Sequence, residues 1–192
     1  MQKLHEYKIG YLVKSIIILA IVLVMAGLWG IKKPDITPTT KPIKTEVTNN
    51  NTTFNLEIPS LEISAPVIAD VNGGDKDVYF KALEGGVAHF AGTAKPGEGG
   101  NIFIFGHSSF YFWKAGDYKD IFKNLEDIEI GDEIIVNYKD KKYTYKVTET
   151  KVVDPNETSV LEPTATEQLT LMTCVPPGTD EQRLIVIAKP AE

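Results

Sequence analysis

The stretch Leu169-Thr170-Leu171-Met172-Thr173-Cys174 decides how this chain is read: a short apolar, strand-like run that stops at Pro176-Pro177-Gly178. Working outward, Ile102-Phe103-Ile104-Phe105 is another apolar run, bounded by Gly99-Gly100 and Gly106, and reads as a buried strand. Leu56-Glu57-Ile58 and Leu61-Glu62-Ile63 alternate with period two around Pro59, and Pro66 is expected to end that alternation before Val67-Ile68. Asn72-Gly73-Gly74-Asp75 reads as a turn. Glu133 to Asn137 and Lys142 to Val153 form a hairpin around Tyr138-Lys139-Asp140-Lys141, and Arg183 to Ala188 supplies the closing strand. Only Tyr118 to Leu125, with Ile121, Phe122 and Leu125 on one side, reads as a short helical turn. Many short strands with little helix predict a closed barrel or sandwich, in which closure removes exposed edges.

The N-terminal third has a different composition. Residues 15–31 carry no charge and are mostly aliphatic, with Tyr11 to Val13 extending the run past Lys14. That is long enough for a spanning helix, which needs roughly 20 apolar residues. No small-residue cleavage pattern follows, only Gly30, Ile31 and Lys32-Lys33, so an uncleaved anchor is expected rather than a signal peptide. The expected layout is a cytoplasmic N-terminus over 1–14, a transmembrane helix over 15–31 and a Pro/Thr/Asn-rich spacer over 32–53. An extracytoplasmic domain over 54–192 completes it. That domain, at about 140 residues, is one domain of ordinary size. A net charge of -6 argues against a nucleic-acid partner, for which a basic face is expected.

The chemistry rests on three residues. Cys174 is the single cysteine of the chain and therefore cannot be half of an intramolecular disulfide. A lone cysteine is either a small buried hydrophobe or a nucleophile. Of the three histidines, His5 precedes the anchor, whereas His107 follows the 102–105 strand directly. Arg183, the single arginine, opens the strand after Cys174. It is a surface charge by chance or a donor to a carbonyl oxygen developing negative charge. Together the three supply what covalent acyl transfer requires: a thiol, an imidazole to activate it and protonate a leaving amine, and a guanidinium for the oxyanion.

These residues resemble the sortases, membrane-anchored cysteine transpeptidases. The likeness lies in His89-Phe90-Ala91-Gly92-Thr93-Ala94-Lys95-Pro96-Gly97-Glu98-Gly99-Gly100-Asn101 followed by Ile104-Phe105-Gly106-His107. It continues in Thr170-Leu171-Met172-Thr173-Cys174, and in Arg183 downstream. The resemblance implies a mostly β, eight-stranded closed barrel with short helices. It also implies cleavage of a Leu-Pro-x-Thr-Gly-like sorting signal through a thioester on Cys174, with transfer to an amine. His107 would be the general acid/base and Arg183 the substrate-positioning and oxyanion-stabilising cation. The implied partners are surface proteins bearing a sorting signal, an amine acceptor such as a peptidoglycan precursor, and the membrane through the N-terminal helix. No cofactor is implied.

Thr173, beside the nucleophile, and Phe110 and Trp113, in the aromatic stretch after His107, are expected to contact substrate. His89 is expected to be structural. The pre-barrel spacer lacks the Asp-Pro-aromatic lid of pilus-building members, and residues 154–168 are too short for the helical insertion of the iron-acquisition class. A housekeeping or class D/E-like enzyme is therefore expected. Asp75, Asp77, Glu157 and Glu162 match no dense calcium loop and read as solvated carboxylates. Two alternatives stay open on sequence alone: a hydrolytic cysteine protease using the same site, and a catalytically silent membrane-tethered barrel.

Overall fold

The computed structural model describes residues 53–109 and 116–191. Eight strands close into a barrel: β1 (Phe54–Ile58), β2 (Ile63–Val71), β3 (Val87–Phe90), β4 (Asn101–Phe105), β5 (Glu133–Tyr138), β6 (Lys141–Val153), β7 (Gln168–Val175) and β8 (Gln182–Pro190). Their order around the barrel is β1-β2-β3-β4-β7-β8-β6-β5, closed by antiparallel pairing of β1 with β5. Two pairings are parallel, β2 with β3 and β4 with β7. A parallel pair needs a crossover rather than a hairpin. For β2 and β3 the crossover is the helix α1 (Lys76–Leu83); for β4 and β7 it is the whole of residues 106–167.

Alternation sorts each strand into an inner and an outer face. Leu56, Ile58, Ile102, Ile104, Ile134, Val136, Leu169, Leu171 and Val186 fill the barrel interior, with Tyr145 fully buried among them. A second apolar cluster lies outside the barrel wall, where Phe103, Phe105 and Ala88 meet Leu83 of α1. All five residues of β4 are buried because the strand has core on one face and this outer cluster on the other. That explains an apolar run without alternation in a barrel strand.

Several expectations are corrected. Residues 76–83 form α1, where only the preceding turn was anticipated: the Asp75 carboxylate accepts hydrogen bonds from the Asp77 and Val78 amides and caps the helix. Leu61 is not in a strand; Pro59–Leu61 is a 3-10 turn, and Glu62 follows in the left-handed region at φ 55°. Pro66 does not end a strand but lies inside β2, at the last register pair with β1, where a missing N–H interrupts no further ladder. Tyr118 to Leu125 is a series of turns that runs into a 3-10 turn at Leu125–Asp127, not an α-helical turn. Here the Phe122 N–H donates to the His107 carbonyl, which diverts it from a helical ladder. The hairpin is tighter than expected, with Tyr138 paired to Lys141 and Lys139 at positive φ in a two-residue turn. The expected membrane helix over 15–31 and nearly all of the spacer lie outside the described residues. Among the described residues no helix is long and apolar enough to cross a membrane.

Candidate active site

His107, Cys174 and Arg183 come from three neighbouring chain segments at one end of the barrel. In the parallel β4–β7 ladder Phe105 is in register with Met172, and the Gly106 N–H donates to the Met172 carbonyl at 3.1 Å, carrying the pairing one residue past β4. One residue further on β4's side is His107, and two residues beyond Met172 is Cys174. Across the other edge of β7, Cys174 is in direct register with Arg183 of β8. The thiol is therefore flanked by strand ends carrying an imidazole and a guanidinium.

The side chains face outward, over a groove of about 680 Å³. Its floor is the outer face of β4 and β7, with Phe103, Phe105, Met172 and Cys174; one wall is α1, through Tyr79, Phe80 and Leu83. Pro155, Val160 and Leu161 of the β6–β7 segment form another wall, and Gly178 to Asp180 and Arg183 close the catalytic end. The Phe80 ring stacks on the His107 imidazole at 5.8 Å between centroids, and the Lys76 ammonium lies 5.5 Å from the Phe80 ring centre. This apolar trough with a few polar groups converging at one end suits an extended peptide whose carbonyl must reach the thiol.

Burial controls the protonation of the pair. It pushes the Cys174 thiol up from its ordinary value, Arg183 opposes that rise, and Asp180 adds to it. Burial pushes the His107 imidazole down. At neutral pH the dominant resting form is thus neutral thiol and neutral imidazole, with the thiolate–imidazolium form a minority. The Arg183 guanidinium is oriented by donating from Nη1 to the carbonyls of Asp180 and Gln182, both at 3.0 Å. Its remaining N–H groups belong to Nη2 and Nε.

Thr173 stands elsewhere than expected. It alternates with Cys174 to the inner face of β7, is 2% exposed, and donates its hydroxyl to the Gly106 carbonyl at 2.9 Å. It contacts no substrate groove; it fixes the backbone that leads into His107. The Phe122 amide holds the far side of the same residue by donating to the His107 carbonyl at 2.9 Å. Gly106 allows this packing, because a Cβ there would meet the Phe122 ring at 2.8 Å and Val87 at 3.0 Å. Phe110 and Trp113 lie outside the described residues.

His89 is fully buried in β3. Its Nδ1 accepts from the Asp70 amide at 3.3 Å, while Nε2 lies 3.0 Å from both the Ala94 carbonyl and the Thr93 hydroxyl. Those contacts tie β2 to the β3–β4 loop and leave the ring no access to the groove. Of the acidic residues weighed for calcium, Asp75 caps α1 and the Glu157 carboxylate accepts from the Ser159 amide. Among the described residues no three His, Cys, Asp or Glu side chains gather in a metal-binding group.

Two groove walls escaped sequence reasoning. For α1 the signal was present, since Asp75 as a cap precedes apolar residues at 78, 79, 82 and 83. For Val160 and Leu161 there was none, as they sit in a 3-10 turn with no periodicity to read.

The sortase domain family model matches residues 56–191. The chain belongs to the sortase family. It is similar to Sortase D of Bacillus subtilis, with 29% identity over 70% of this chain and 61% of that protein. It is also similar to Sortase SrtE1 of Streptomyces coelicolor, with 30% identity over 71% of this chain and 40% of that one. The chain thus spans between 40% and 61% of the length of these two curated relatives. Among solved structures, sortase C-1 from Actinomyces oris superposes with a TM-score of 0.61 at 29% identity, covering 72% of this chain and 73% of that one. Sortase A from Corynebacterium diphtheriae does so with a TM-score of 0.60 at 29% identity, covering 75% and 62%. The likeness to Sortase D is compatible with a class D/E-like sortase.

Proposed function

We propose that this protein is a cysteine transpeptidase that cleaves a Leu-Pro-x-Thr-Gly-like sorting signal and passes the acyl group to an amine. The observation that carries this reading is the register of Cys174 against Arg183, with His107 at the end of the adjoining β4 strand, all at one end of an apolar groove. In the first half-reaction the Cys174 thiolate attacks the scissile carbonyl carbon. Arg183 donates to the oxyanion, and the His107 imidazolium gives its proton to the departing amine. A thioester on Sγ remains. In the second, neutral His107 takes a proton from the incoming amine, which attacks the thioester; the tetrahedral adduct collapses and expels the thiolate.

Sortase kinship also supports surface-protein substrates and a cell-wall amine acceptor, with anchoring by residues 15–31 as the reading of the N-terminal sequence. The test is intact-mass spectrometry of the protein with Leu-Pro-x-Thr-Gly peptides of varied x, with and without a primary amine. A Cys174 adduct at the thioester mass, converted by the amine to an amide-linked product and missing in Cys174→Ala, is expected. Release of free acid at the same rate with or without amine would identify a hydrolase instead. Absence of any adduct would remove the Leu-Pro-x-Thr-Gly reading and leave a different sorting signal or the catalytically silent barrel.

A further inference from the structure

The outer face of β4 begins, six residues before His107, at Asn101, a polar side chain only 3% exposed. At a strand rise of about 3.3 Å per residue it lies about 20 Å from the catalytic end of the same face. Its amide is fully engaged. Nδ2 donates to the carbonyls of Val160 at 2.9 Å and Glu162 at 3.2 Å, and Oδ1 accepts from the Thr170 hydroxyl at 2.7 Å. Gln168 Nε2 in turn donates to the Thr170 oxygen at 3.1 Å, so a line of polar contacts crosses from β7 through β4 into the β6–β7 segment.

That segment needs such a tether. Its one regular feature is the three-residue 3-10 turn Ser159–Leu161, which has no side-chain cap and no buried residue of its own. A single short 3-10 turn is held weakly by its own hydrogen bonds. Yet Val160 and Leu161 form a groove wall and pack on the outer apolar cluster. The Val160 and Glu162 carbonyls that Asn101 holds bracket Leu161.

We propose that Asn101 is a positioning residue for substrate: by clamping the carbonyls on either side of Leu161 it holds the Val160–Leu161 wall against the barrel, preformed for the apolar side chains of a bound peptide. The inference rests on the peptide-transfer reading for its kinetic consequence, but the clamp itself does not. A carboxylate at this position keeps the shape and loses both donors, so Asn101→Asp should release the wall. Thr170→Val, which frees Oδ1 and the Gln168 Nε2 donor but leaves both Nδ2 bonds, is a milder perturbation of the same line.

The experiment combines hydrogen exchange with steady-state kinetics on the whole protein. In Asn101→Asp, the Leu161 and Glu162 amides, which close the 3-10 turn onto the Thr158 and Ser159 carbonyls, should exchange at least about tenfold faster. Amides of β7 should be unchanged. KM for a Leu-Pro-x-Thr-Gly peptide should rise about tenfold with kcat within twofold, and alkylation of Cys174 by iodoacetamide should keep its wild-type rate. Thr170→Val should move both readouts the same way by about threefold, and it carries the test if Asn101→Asp does not fold. Unchanged exchange at Leu161 and Glu162 would overturn the clamp. Faster exchange with unchanged KM, or an equal fall in kcat and kcat/KM, would overturn the positioning role. If wild type transfers no peptide, the functional reading fails on its own, and the exchange data still decide the clamp.

Discussion

At the start of the β4–β7 pair, Glu167 has both carboxylate oxygens occupied. One accepts the Tyr145 hydroxyl at 2.8 Å, and the other accepts the Gly97 and Gly99 amides at 3.0 and 3.3 Å. At the other end, Cys174 and His107 are both driven toward their neutral forms by burial, and the charge that opposes this for the thiol is Arg183. The same two strands thus have one end in which a carboxylate is satisfied by protein donors and one in which a thiol and an imidazole line a groove. Under the proposed function, stability and chemistry are separated along this strand pair, and substitutions at the two ends should have different readouts.

The largest effect expected is on catalysis. Arg183→Gln should lower kcat/KM for peptide by about 10²- to 10³-fold, as loss of an oxyanion donor does. Its unfolding midpoint in urea should stay close to wild type. A loss of stability of the same order as the catalytic loss would collapse the distinction between the two ends.

The opposite signature is expected at Glu167. Glu167→Ala strands a buried tyrosine hydroxyl and two amides, and should destabilise the protein by about 2 kcal/mol in urea titration. Its kcat should be that of wild type at temperatures where it is folded. A kcat deficit there would mean that the two ends are coupled.

The pH dependence sharpens the contrast. In the proposed mechanism the competent form carries a thiolate and an imidazolium, and with the thiol pushed up and the imidazole pushed down the two demands conflict. A bell-shaped kcat/KM results, falling on the acid side below the ordinary histidine value of 6.5 and on the alkaline side above the ordinary thiol value of 9.0. Because Arg183 draws the thiol down, Arg183→Gln should move the alkaline limb higher. An alkaline limb unmoved in that variant would show that the guanidinium does not act on the thiol.

The smallest effect belongs to His89. Burial lowers its value in the folded protein, so the unfolded chain binds the proton more readily. Its contribution to stability is therefore full above about pH 6.5 and is lost as pH falls through the depressed folded value. His89→Gln should flatten the acid side of the stability profile measured in urea between pH 4 and 7, leaving the kcat/KM bell in place.

Much of the barrel was legible because its strands carry period-two or fully apolar runs between glycine and proline, as β4 and β7 do. The three candidate catalytic residues stood out by rarity and by sitting at strand ends. Thr173 misled because adjacency in sequence is opposition in a strand: its neighbour faces the groove and it faces the core. Pro66 misled because proline is excluded from a ladder only where its nitrogen must donate, and here the β1 pairing stops at it. The groove walls were least legible. α1 was hidden by the glycine-rich turn before it, and the Val160–Leu161 wall is fixed by the amide of Asn101, about sixty residues away in sequence, which no local pattern encodes.

The parallel pairing of β4 with β7 has a consequence for how the molecule is made. Since residues 106–167 must be threaded through the crossover before these strands meet, the thiol and imidazole come together only through long-range contacts, the slowest kind to form. Until the barrel closes, Cys174 ionises as a free thiol does in solution; completing the fold buries it, pushes it up from its ordinary value and sets it beside Arg183.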